Sequence, residues 1–121
     1  MSDIFNQSEL LANTGGNAGL CAELVEAFIE EYPKLMLEAR QAVAGHDAVA
    51  LARTAHSLKG VVANFVARPA LDAARAIELI SHNGNLRDAE EAYTKLAFEI
   101  ARLHQALQEF VKTVQDPQDA R

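Results

Sequence analysis

The chain is 121 residues long and 50% hydrophobic, enough for one domain with its own core, and its abundance of Ala and Leu favours helix over sheet. A formal net charge of −6 without any run of Lys and Arg excludes a general nucleic-acid binder, which needs a basic stripe. The lone Cys21 rules out an internal disulfide or a thiolate zinc cage, and no apolar run approaches the roughly 20 residues that cross a bilayer.

At the N-terminus, "MSDIFNQSELL" lacks the basic and apolar regions of a secretion signal, so the cytoplasm is the expected location. "SELLANT" (8–14) is predicted to form a short helix capped by Ser8 and stopped at Gly15-Gly16. Asn17 can cap a long helix reaching Gly45, with Leu20, Leu24, Phe28, Leu35, Ala39 and Ala42 at helical spacing. Pro33 interrupts that run and is expected to bend one helix, not to split it. A third helix starts near Asp47 and runs to Phe65 or Val66. The fourth opens at Pro69, a favourable first-turn residue, and closes around His82 before "NGN".

The last helix, from Leu86 to about Val114, carries Leu96, Ile100, Leu103, Leu107 and Phe110 on one stripe. Its outer face has opposite charges four residues apart, Glu91 and Lys95, as a solvated helix does. Residues 115–121, "QDPQDAR", form a polar tail. The single domain therefore spans 1–121 with its core about 5–114, and Met1 with the short tail points to a free-standing protein. No segment alternates as a strand would. Short connections make neighbouring helices antiparallel, so the expected fold is all-α: an up-and-down antiparallel four-helix bundle with a short extra N-terminal helix.

Residues 47–66 hold the chemistry. On a wheel of about 100° per residue, Leu51, Ala55, Leu58, Val62 and Phe65 share one arc, the core face. His56 lies well off that arc, on a surface strip with Val49, Ala52, Arg53, Lys59, Gly60 and Ala63. This strip holds an imidazole and a lysine among small or apolar residues, where an ordinary solvated face is dense in Glu and Lys.

Phosphate chemistry accounts for the pattern. A neutral imidazole nitrogen can attack phosphorus, and histidine stays partly neutral near physiological pH. A phosphoryl group brings about two negative charges, so Lys59 at i+3 is placed to stabilise it. Gly60 at i+4 removes a side chain beside the ring. A mid-helix glycine costs about 1 kcal/mol against alanine, and a partner's close approach to His56 would offset it. The competing reading is a helical interaction module whose surface histidine is incidental.

The stretch "AHSLKGVVANF" within "GGNAGLCAELVEAFIEEYPKLMLEARQAVAGHDAVALARTAHSLKG" resembles the histidine phosphotransfer (HPt) family of two-component phosphorelays, from about Phe5 to Phe110. The resemblance implies a phosphorelay intermediate that is a carrier more than an enzyme. His56 matches the phosphorylated histidine, Lys59 the lysine that contacts the phosphoryl oxygens, and Gly60 the clearance for a partner. Glu78 falls near a glutamine that hydrogen-bonds the ring in some members, a candidate to orient the imidazole. Asn64 matches a polar position of the motif with no assigned role. The implied partners are receiver domains of response regulators or hybrid histidine kinases, with no nucleic acid and no membrane. No cofactor is implied in this chain, since Mg²⁺ belongs to the receiver. Where many members carry a second glycine, this chain has Val66, expected to narrow the room beside the histidine helix.

Other features carry less. His46, His82 and His104 lack paired ligand spacing, so no metal site is expected and helix-end or surface roles are assigned to them. Cys21 reads as a packing residue. No phosphate-binding loop of the Walker or kinase type is present, which excludes a self-sufficient ATP-dependent kinase.

Overall fold

The computed structural model describes residues 4–115. Helix α1 spans Gln7–Asn13, α2 Ala18–Ala44, α3 Ala48–Ala63 and α4 Arg68–Asn83; a 3-10 turn at Leu86–Asp88 leads into α5, Ala89–Gln115. Helix α2 packs against α3 and α5, α4 packs against the same two, and α1 rests on α2. That closed ring of neighbours is the expected four-helix bundle with a short N-terminal helix, and no strand occurs among the described residues. Apart from Gln115, the polar tail lies outside the described residues.

Side-chain caps set most of the helix starts. Asn17 accepts from the Leu20 backbone N–H at 3.0 Å and Asp47 from that of Ala50 at 3.0 Å, as their types predict. The first helix is capped by Asn6, not by Ser8: Asn6 Oδ1 takes the Glu9 N–H at 2.9 Å, which places the cap two residues earlier. Helix α2 runs through the exposed Pro33 without interruption. Helix α4 carries Pro69 in its first turn and ends on Gly84, whose φ of 77° only glycine adopts cheaply.

The core is built from the stripes the spacing marks. Leu51, Ala55, Leu58, Val62 and Phe65 are all buried, as are Leu96, Ile100, Leu103, Leu107 and Phe110. Leu20 departs from expectation and is exposed, because the inward stripe at the start of α2 runs one residue later, through Cys21 and Val25, and meets the expected one at Phe28. Cys21 is fully buried and its sulfur meets Thr14 Oγ1 at 3.1 Å, a packing role. Glu91 and Lys95 form no ion pair with each other; Arg40 of α2 instead reaches Glu90 at 3.2 Å.

Two non-glycine residues adopt the left-handed region, His46 at φ 54° and Val66 at φ 52°. His46 closes α2: its N–H bonds the Val43 carbonyl at 3.2 Å and that of Asp47 the Ala42 carbonyl at 2.9 Å, a pairing that caps helix C-termini. Histidine tolerates this conformation, whereas a β-branched residue is strained in it. Val66 also lines a depression with Ala63 of α3 and with Arg68, Leu71 and Arg75 of α4. It sits in the α3–α4 turn, where a glycine would answer a backbone demand.

Candidate functional site

Helix α3 presents His56 between α2 and α4, and the strip around it divides into two flanks. On the α4 side, Glu78 Oε2 lies 3.2 Å from His56 Nδ1 and Oε1 lies 2.6 Å from Lys59 Nζ. His82, one turn further along α4, brings its Nε2 to 3.9 Å from the same Oε2. The imidazole of His56 is 74% exposed, while the Glu78 side chain is only 15% exposed. An exposed ring is thus anchored on a largely sequestered carboxylate.

The charges fix the tautomer. Lys59, donating to Glu78, is the main cause that holds this carboxyl below its usual range; partial burial opposes it, and His56 adds to it. An ionised carboxylate only accepts, so Nδ1 of His56 carries the proton. In the neutral ring Nε2 then bears the lone pair.

On the α2 side the surface is open. Gly60 lines a groove of about 690 Å³ with Glu30, Glu31 and Lys34 of α2 and with Ser57 and Asn64 of α3. A Cβ built on Gly60 meets nothing within 4 Å, so packing does not demand a glycine there. Among the described residues, Glu30, Glu31 and Lys34 enter no ion pair.

The other strip residues distribute between these flanks. Val49 is 74% exposed, Arg53 lines a depression shared with Glu38 and Gln41 of α2, and Ala63 one shared with Leu71 and Arg75 of α4. Ala52 is half-buried. Asn64 is the exposed C-cap of α3, which gives the residue a local structural place.

Sequence reading found His56, Lys59, Gly60 and Glu78 but not the Lys59–Glu78 ion pair, nor His82 beside it. The spacing of Glu78 and His82, four apart on one helix, was the available signal. His104 departs from its expected surface role: it is half-buried and its Nδ1 is hydrogen-bonded to the Tyr32 hydroxyl, tying α5 to α2. Burial pushes the Tyr32 phenol up. Among the described residues, no group of three or more His, Cys, Asp or Glu is placed to hold a metal ion, and no helix is long and apolar enough to cross a membrane.

Solved structures share this fold. The fold is similar to the crystal structure of histidine-containing phosphotransfer protein B (HptB) from Pseudomonas aeruginosa PAO1, with a TM-score of 0.85 at 20% identity over 93% of this chain and 97% of that one. It is also similar to the HPT domain of a sensor hybrid histidine kinase from Shewanella, with a TM-score of 0.78 at 16% identity over 92% of this chain and 96% of the other. No curated protein sequence matches. The family model of the Hpt domain, however, matches residues 23–114, which include every residue of the site. The chain belongs to the Hpt domain family, the histidine phosphotransfer proteins of two-component systems.

Proposed function

We propose that His56 Nε2 carries a phosphoryl group and exchanges it with aspartates of receiver domains, as an intermediate of a cytoplasmic phosphorelay. The observation that carries this reading is the exposed imidazole whose Nδ1–H is held by an ionised carboxylate. In the forward step the Nε2 lone pair forms the P–N bond while the aspartyl P–O bond breaks. The aspartate leaves as a carboxylate, and the ring becomes an imidazolium whose Nδ1–H stays on Glu78. Positive charge created on the ring is met by a negative group already in place, which lowers the cost of the step.

Lys59 serves the transferred group. At rest its ammonium is on Glu78 at 2.6 Å, and in the phosphorylated protein it turns to the phosphoryl oxygens. Gly60, with Val49, Ala52, Arg53 and Ala63 around it, forms the surface on which the receiver docks. The divalent metal and the acidic pocket come from the receiver, and this chain contributes the nucleophile. It is a phosphoryl carrier, not an ATP-dependent enzyme.

Incubation with a phosphorylated receiver domain tests the proposal. Wild-type protein should acquire acid-labile, base-stable phosphate, and His56→Gln should acquire none while keeping its helical content. Equal labelling of the two proteins would refute the assignment.

A further inference from the structure

Glu78 faces more basic side chains than a simple orienter needs. Oε1 takes Lys59, and Oε2 faces both His56 at 3.2 Å and His82 at 3.9 Å. His56 and Lys59 come from α3 and His82 from Glu78's own helix; among the described residues no ion pair joins this cluster to α5 or to the 3-10 turn. One lysine thus has two claimants once His56 is phosphorylated, because the phosphoryl dianion and the Glu78 carboxylate both seek it. If Lys59 turns to the phosphoryl group, Glu78 keeps the His56 imidazolium on Oε2 but loses its closest cation from Oε1 while a second anion arrives nearby.

Resting on the phosphohistidine reading above, we infer that His82 is a positioning residue that replaces Lys59 as the counter-ion of Glu78 in the phosphorylated state. Its place suits the exchange. His82 is one turn beyond Glu78, its side chain is 65% exposed and can reorient, and its Nε2 already points at Oε2 across 3.9 Å. No new backbone position is required. His82 acts only when protonated, and imidazole is the side chain whose charge responds to pH near neutrality. Protonated His82 therefore favours the phosphorylated state of His56 without touching the phosphoryl group.

The position of His82 in the last turn of α4 also suits the helix dipole, and the test separates the two roles. Wild type, His56→Gln, His82→Gln and His82→Lys are each brought to steady state with excess phosphoramidate at pH 6 and pH 8.5. Phosphohistidine at position 56 is read by ³¹P NMR as the resonance missing in His56→Gln, and melting temperatures are recorded alongside. At pH 6, His82→Gln should carry about two- to threefold less phosphate at His56 than wild type, the size expected of an exposed charge pair. At pH 8.5 the two should match. His82→Lys, charged at both values, should equal wild type at pH 6 and exceed it at pH 8.5. Equal occupancy of wild type and His82→Gln at both pH values overturns the inference, as does an equal loss at both, which belongs to a role independent of the charge. If no resonance is lost in His56→Gln, the phosphohistidine assignment itself fails.

Discussion

The two flanks of His56 are built on opposite plans. Toward α4 the groups beside the ring are partnered: Lys59 and His56 meet Glu78 within 3.2 Å, and His82 stands behind them. Toward α2 the charged groups Glu30, Glu31 and Lys34 stand around an open groove whose helix α3 wall includes a glycine. The α4 flank is organised before any partner arrives, which suits groups that act on the phosphoryl and the ring. The α2 flank is left unfilled, which suits a surface completed by another protein. Chemistry and access are thus assigned to different sides of one histidine.

The largest effect should come from filling the open side. Gly60→Gln should cut phosphotransfer from a receiver domain about a hundredfold, since misplacing reacting groups by about an ångström has that cost, while labelling by phosphoramidate changes little. Gly60→Ala should fold at least as stably as wild type, because its Cβ enters open space and alanine is the better helix former by about 1 kcal/mol. Chemical denaturation of the alanine variant and transfer assays of the glutamine variant check both halves. Loss of stability in Gly60→Ala would return the glycine to helix packing.

On the organised side the pattern should differ in kind. Lys59→Ala should slow acceptance from receiver and phosphoramidate alike, by about tenfold, the worth of a charge-assisted hydrogen bond of roughly 1.5 kcal/mol. A variant that slows only the receiver reaction would place Lys59 in docking and erase the distinction between the flanks.

A smaller effect follows from Glu78 and can be read from stability alone. Its carboxyl is held below the usual value of 4.5, chiefly by Lys59, so its contribution is present above that value and is lost as pH falls through the lower folded-state value. Glu78→Gln should melt below wild type at neutral pH, and the gap should close under acid conditions. A gap that is unchanged in strong acid would show that the ion pair is not its source.

The smallest effect belongs to the turn between α3 and α4. Val66→Gly relieves a left-handed β-branched residue, about 1–2 kcal/mol, against about 0.4–1 kcal/mol of added chain entropy. A net gain of about 0.5 kcal/mol is expected, with transfer rates unchanged. Slower or faster transfer in this variant would tie position 66 to docking after all.

How far the sequence shows these features depends on whether they are local. The core arc of α3 was legible because Leu51, Ala55, Leu58, Val62 and Phe65 repeat with the helical period, and all are buried. His56 stood out for falling off that arc, and Gly60 for being a glycine inside a helix. The Lys59–Glu78 pair and the Tyr32–His104 bond were not legible. They join residues 19 and 72 positions apart in the chain through helix packing, and no spacing rule reaches across it. Asn6 and Ser8 are both good caps, and only the backbone geometry chooses between them. At Val66 only the bulk of the side chain is legible, since a φ of 52° leaves no mark on composition or period.

The most direct measurement is ¹H–¹⁵N correlation NMR of the imidazole nitrogens before and after phosphorylation by phosphoramidate. The account predicts that neutral His56 holds its proton on Nδ1 and that ³¹P–¹⁵N coupling appears at Nε2 of the same ring. A proton on Nε2 in the resting protein, or phosphorus coupled to Nδ1, would contradict it.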